Sequence, residues 1–422
     1  MDRYFRPLHI EHYEDLIGAD AVERIVSKAR RLHGLRVVNI SSTFYGGGVA
    51  EILGSLTLLK RALGIRSDWR LIQGSPDFFS VTKKLHNALQ GGDINLSELK
   101  KEIYEGIILQ NALRMDVEAD VVVVHDPQPL PLITHFRHTC PWVWRCHLDL
   151  SQPDPGAWGY MREFVDDYDA MVVSLPEYAQ EVHVPQLSFM PAIDPFSIKN
   201  RALSDAEISD RLRHYGIPDD LPIVAQISRF DRWKDPEGVI EAFRIARKEV
   251  DATLVLLGNV ATDDPEGQKV FESLLGCKEE RILILTAEDS ALVNALQQRA
   301  AVVLQKSLRE GFGLTVTEAM WKGTAVIGGN CGGIRHQIED GHNGFLVSSV
   351  EEAAQRIVQL VKDAGLRRRL GAAARDTVRA RFLMTRLAEQ YLDLFESFEP
   401  RFALNHRRRA RLELVSPRPP RR

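Results

Sequence analysis

The chain has 422 residues, 44% apolar and 27% charged, with a formal charge of −4 at pH 7. These values belong to a globular enzyme with a sizeable core and exclude a disordered chain, or one drawn to nucleic acid or anionic membrane by overall charge. No stretch reaches the roughly 18 apolar residues of a spanning helix, and Cys140, Cys146, Cys277 and Cys331 show no paired or finger-like spacing, so neither a disulfide framework nor structural zinc is expected.

The N-terminal stretch MDRYFRPLHIEHYEDL carries charges throughout and lacks an apolar signal region, so a cytoplasmic location is expected. AVERIVSKARRL has the spacing of an amphipathic helix. From Leu35, LRVVNISST predicts a strand, FYGGG a glycine-rich turn and VAEILGSLTLLKRAL a helix. DVVVVHDPQPLPL, PWVWRCHLDL and AMVVSLPEY supply three more strands, each passing into a polar loop. Continuous rather than alternating apolar runs indicate a parallel sheet covered on both faces. The pattern breaks at PAIDPFSIKN and GIPDDLP, which predict an interdomain hinge. Five further buried runs follow: IVAQIS, ATLVLLG, RILIL, AVVLQ and TAVIGG. The expected fold is α/β, with two facing Rossmann-like, doubly wound domains over residues 1–218 and 219–385 and a cleft between them. A helix over 386–400 is expected to cross back to the first domain, and the Arg-rich end over 401–422 reads as a flexible, solvated tail.

Ligands of open parallel sheets sit beyond the C-terminal strand ends, so the residues after each predicted strand are the candidates. Gly46, Gly47 and Gly48 permit close backbone approach at a helix N-terminus, although they form neither a dinucleotide fingerprint nor a P-loop. SRFDRWKDP places Arg229 and Lys234 at the mouth of the second sheet, where two cations suit a diphosphate that gains charge as its bond breaks. In EGFGLTVTE, Glu310 and Glu318 flank a turn that opens a helix. The amides of Gly311, Phe312, Gly313, Leu314 and Thr315 are candidate donors to phosphate or sugar oxygens, and the carboxylates are natural acceptors for paired hydroxyls. His147 ends another strand as a candidate catalytic residue, with His125, Asp126, Arg145 and Asp149 as candidate acceptor contacts nearby. Asp167 and Asp169 form an Asp-x-Asp pair but precede their strand, so they read as a solvated helix end rather than a cation site. No metal or other cofactor is expected to be required.

These motifs resemble glycosyltransferase family 4, which has the GT-B fold. The resemblance implies that Arg229 and Lys234 grip the donor diphosphate, that Glu310 faces donor-sugar hydroxyls and that Glu318 faces the ribose. GGIRHQIEDGHNGFLV is similar to the family's strand-end glycine pair, but Arg335 and His336 stand where many members have Pro-Glu. STFYGGGVAEIL, HDPQPLPL, WRCHLDLS, AIDPFSIKN and LLGNVATDDPEG are similar to one branch, the trehalose glycosyltransferring synthases, with trehalose phosphorylases as relatives. The branch implies transfer of glucose from a nucleoside diphosphate glucose (UDP-, ADP- or GDP-linked) to free glucose, giving α,α-trehalose with retention, reversibly, with His147 at the donor sugar. The open alternatives are a phosphorylase, a family member with another acceptor, and a catalytically silent sugar-nucleotide-binding regulator. The partners expected are these small-molecule substrates, with no nucleic acid or membrane, and a homodimer is the default oligomer.

Overall fold

The computed structural model describes residues 9–44, 47–258, 267–277 and 279–398. Gly46 of the glycine run, most of NVATDDPEG and the basic end over 401–422 lie outside the described residues. Two six-stranded parallel sheets form the framework. The first contains β1 (Arg36–Ser41), β2 (Arg66–Leu71), β3 (Val121–His125), β4 (Trp142–Arg145), β5 (Ala170–Val173) and β6 (Gln186–Ser188), in the order β2-β1-β3-β4-β5-β6. The second contains β7 (Ile223–Ile227), β8 (Thr253–Gly258), β9 (Ile282–Thr286), β10 (Val302–Gln305), β11 (Val326–Gly329) and β12 (Phe345–Val347), in the order β12-β11-β10-β7-β8-β9. The central strands β3, β4, β5, β7 and β10 are buried along their whole length, as a sheet with helices on both faces requires.

One departure from the sequence expectation concerns the join. The helix Asp205–His214, expected in the first unit, packs against Ser290–Arg299 of the second, because its buried Ile208 and Leu212 complete that sheet's core. The final helix, Met384–Glu396, packs on Ala19–Arg31 and Gly48–Ala62. Its buried Leu387, Leu392 and Phe395 share a core with Ile25 and Ile52, so N-terminal and C-terminal segments complete one layer. Where the chain crosses and recrosses, the two passages pair: the Ile193 amide donates to Phe382 O at 2.8 Å and the Met384 amide to Ile193 O at 2.9 Å. No helix among the described residues is long and apolar enough to cross a membrane.

Candidate active site

The C-terminal strand ends of both sheets line one cavity of about 680 Å³. From the first sheet come Ser41 after β1, His125 and Asp126 after β3, and His147 after β4. From the second come Arg229 and Lys234 after β7, Asp289 after β9, and Glu310, Gly311, Phe312, Gly313, Leu314 and Thr315 after β10, with Glu318 one turn further on. Gly47 and Gly48 line it as well, at the start of the helix that follows β1.

The turn after β3 is built around Asp126, whose φ of 64° lies in the left-handed region that a side chain adopts only at a cost. That conformation lets its carbonyl accept from Trp144 Nε1 at 3.0 Å and its carboxylate accept from the His147 amide at 2.8 Å. Asp126 therefore holds the histidine loop in place. Burial raises its pKa to about 6, against the pull of the His147 amide, Arg145 and Arg229.

Above it, His125 and His147 stack with centroids 5.4 Å apart. His125 Nδ1 lies 3.1 Å from His147 Nε2, and His125 Nε2 lies 3.4 Å from Asn39 Oδ1. Burial pushes both rings well below the ordinary histidine range, aided for His125 by Lys60 and Arg145 and for His147 by Arg145 and His125. Because the Asn39 amide nitrogen is committed to Ser67 Oγ and Asp68 O, its oxygen must accept from His125 Nε2. His125 Nδ1 then accepts from His147 Nε2, and His147 Nδ1 is left unprotonated, a lone pair suited to a sugar hydroxyl.

Two histidines held neutral imply a pH dependence of stability. Below the unfolded histidine pKa of about 6.5 the unfolded chain binds protons that the folded one refuses, so acidification destabilises. His86, lowered to about 3 first by burial, adds in the same direction. Asp126 opposes, since between about 3.8 and 6 the folded state holds the extra proton, and so does Asp194, which burial also raises, but the three histidines outnumber them. The melting temperature is therefore expected to fall between pH 7 and 5 and to fall less steeply in His147→Asn; equal slopes in differential scanning fluorimetry would contradict the protonation assignment.

On the second unit, Asp231 accepts from the Trp233 amide at 2.9 Å and closes the short turn Arg232–Lys234, while Gln226 Nε2 donates to Lys234 O at 2.7 Å. Burial pushes Asp231 up, but Lys83, the Trp233 amide, Arg229 and Lys234 outweigh it and bring it to about 2. Lys234 pairs with Glu310, and Ser307 Oγ donates to the same Glu310 oxygen at 3.1 Å, so the carboxylate is fixed from two sides. Gly313 adopts φ 89°, which suits glycine, and opens the helix Leu314–Trp321 with no side-chain cap. Leu314 and Thr315, at the uncapped start of that helix, line the cavity. Glu318 is buried, accepts from Gln297 Nε2 at 3.1 Å and has Lys199 Nζ 3.8 Å away.

The two halves also touch across the cleft. Tyr178 OH donates to the carbonyls of Glu310 and Gly311 at 3.2 and 3.1 Å, and Arg335 reaches Glu177 at 3.1 Å with His336 beside it. The Arg335–His336 departure from the family pattern is therefore a contact between the two units.

Two candidate acceptor contacts do not reach the cavity. Arg145 is 1% exposed and turns beneath the sheet to donate to Ser174 Oγ at 3.2 Å and Phe189 O at 2.7 Å. Asp149, which does not line the cavity, accepts with Oδ1 from the Ser151 amide at 2.9 Å and from its hydroxyl at 2.6 Å. Asp169 accepts from the Trp142 amide at 2.8 Å at the opposite end of the sheet, so the Asp-x-Asp pair lies away from the cleft. Among the described residues no group of three or more potential ligands could hold a metal ion. Lys83, His86, Gln90, Lys199, Asp231 and Arg309 line the cavity without having been expected there. Lys199 sits inside the hinge segment, and the only signal for the first three is a polar stripe on an otherwise buried helix.

Residues 39–180 match the family described as trehalose synthase, N-terminal domain, and residues 208–377 match glycosyl transferases group 1. A trehalose synthase of Pyrococcus horikoshii is 43% identical over 398 residues, covering 92% of this chain and 96% of its own. One from Rubrobacter xylanophilus is 40% identical, covering 91% and 95%. A trehalose phosphorylase of Pleurotus pulmonarius is more distant, 26% identical over 87% of this chain and 58% of its own. Two solved structures share the fold: sucrose-phosphate synthase from Thermosynechococcus elongatus, with TM-score 0.65 at 18% identity over 86% of this chain and 98% of its own, and α,α-trehalose 6-phosphate synthase from Burkholderia multivorans, with 0.68 at 14% over 86% and 98%. Both halves being matched, and the relatives being aligned along nearly the whole length, the chain belongs to the trehalose synthase family and is a glycosyltransferase of the GT-B fold.

Proposed function

We propose that the enzyme transfers glucose from a nucleoside diphosphate glucose to the anomeric hydroxyl of free glucose, reversibly and with retention, giving α,α-trehalose. The observation that carries this reading is the convergence, in one cavity, of Lys234, Arg229 and the helix amides after Gly313 with a neutral His147 on the facing unit. Cations and amides suit the diphosphate, Glu318 suits a ribose diol, and His147 Nδ1 suits a hydroxyl of the donor sugar.

Retention through a covalent intermediate would call for a carboxylate nucleophile with a second carboxyl as acid about 5 Å away. Glu310 is instead held by Lys234 and Ser307. The favoured route is front-face attack: the acceptor hydroxyl bonds to the anomeric carbon on the side the diphosphate leaves, and its proton passes to the departing phosphate oxygen. Arg229, Lys234 and the amides stabilise the charge that develops.

Incubation with glucose and UDP-, ADP- or GDP-glucose in the presence of EDTA is expected to give a disaccharide whose anomeric proton signals are those of α,α-trehalose. Synthesis only from glucose 1-phosphate would make the enzyme a phosphorylase, a β-linkage would overturn retention, and restoration by divalent cations alone would overturn metal independence.

A further inference from the structure

One wall of the cavity is left unused by the donor reading. It is formed by one face of the helix Pro76–Leu89 and its cap residue Gln90, where Thr82, Lys83, His86 and Gln90 follow one another at helical spacing along the wall. Three of them are polar residues buried almost completely: Thr82 at 2%, Lys83 at 7% and Gln90 at 7% exposure. Polar groups are rarely held this dry along one stripe unless partners meet them there. Lys83 finds one across the cleft, Asp231 at 3.2 Å, and that carboxylate is itself only 7% exposed. Gln128 on the same lining carries a buried side-chain oxygen with no hydrogen-bond partner.

We infer that this stripe, closed over by Asp231, is the acceptor subsite, and that Lys83 with Asp231 determines its specificity for an unphosphorylated hexose. The inference rests on the proposed transfer to a sugar acceptor and assigns the residues that hold it. A neutral polyol needs donors and acceptors interleaved. Lys83 donates, Asp231 accepts, Gln90 and Gln128 do both, and the neutral His86 offers one of each. Vicinal hydroxyls can bridge an ammonium and a carboxylate 3.2 Å apart without disturbing the balance of charge. A phosphate dianion could take the Lys83 ammonium only by separating it from Asp231 and leaving that buried carboxylate unpaired, a cost that selects against it. The position also suits transfer, because Arg229 and Lys234, the expected diphosphate grip, line the same cavity as Lys83 and His86.

The test uses the full chain and the variants Lys83→Met and Gln90→Ala, with Asp231 left intact because it also closes the Arg232–Lys234 turn. Glucose binding is titrated calorimetrically with UDP saturating, and UDP affinity alone reports that the donor side and the fold are preserved. Lys83→Met is expected to weaken glucose binding and raise the acceptor KM by about 10- to 100-fold, as loss of a charge-assisted hydrogen bond would. UDP affinity should stay within about twofold, and glucose 6-phosphate should be used no better relative to glucose than by the parent enzyme, since the change removes a cation and leaves the Asp231 carboxylate in place. Unchanged glucose affinity in both variants, or a loss confined to UDP, would overturn the assignment while leaving trehalose synthesis standing. If the parent enzyme binds glucose through Lys83 yet makes no trehalose, the subsite stands and the proposed reaction falls. Absence of glucose binding by the parent enzyme overturns both.

Discussion

Lys234→Ala is expected to lower kcat/KM by about 10²- to 10³-fold, the loss typical of removing one group that stabilises developing transition-state charge. The amine pairs with the Glu310 carboxylate on the wall of the cavity that the proposed diphosphate would enter. Its removal takes away a cation and leaves Glu310 with Ser307 as a lone partner, so a like charge then faces the incoming phosphates. Much of the loss should appear in kcat, because the leaving group gains charge only as the bond breaks. Steady-state kinetics with the donor varied, beside calorimetric binding of the nucleoside diphosphate, separates the two contributions. A variant that keeps kcat and loses only donor affinity would reduce Lys234 to a ground-state binder.

Gly311→Ala is expected to reduce turnover by about 100-fold, the cost of displacing reacting groups by around an ångström. A methyl group there would run into the carbonyl oxygen of His147, and a backbone atom cannot rotate out of the way. The donor loop would have to retreat from the facing unit, carrying Glu310 and the helix amides with it and stretching the two hydrogen bonds from Tyr178. Since the strain is relieved by opening the cleft, the melting temperature should move little, and the defect should show in kcat/KM for both substrates. Rates near those of the parent enzyme would mean that the approach of Gly311 to His147 is not needed for transfer.

Both expectations concern residues visible in the sequence, because SRFDRWKDP and EGFGLTVTE combine rare residue types with the strand-to-helix junction that gives them a role. The central strands were equally legible. IVAQIS and AVVLQ are buried on both faces and so read as unbroken apolar runs. Arg66–Leu71 did not stand out, because this edge strand is fully buried only at Ser67 and carries two arginines and an aspartate. The strands Gln186–Ser188 and Phe345–Val347 are three-residue edges that no periodicity can announce. Arg145 was misplaced for a physical reason: at a strand end, successive side chains point to opposite faces, and the choice of face is made by packing. The stripe on Pro76–Leu89 faces a cavity only because the second unit closes over it, and Lys199 reaches Glu318 only because the hinge passes beside it.

The chain's there-and-back path has a consequence for how the molecule can move and be divided. A single connecting strand would let the two units swivel and twist; two passages pinned together at Ile193 and Leu383 act as a paired strap, free to flex about one line and stiff against torsion. Opening for product release can then preserve the side-to-side alignment of Gly311 with His147 on each return. The same layout means that cutting the gene at its apparent midpoint yields no autonomous half: the leading piece lacks the helix that finishes its own core, and the trailing piece carries that helix with nothing to cover.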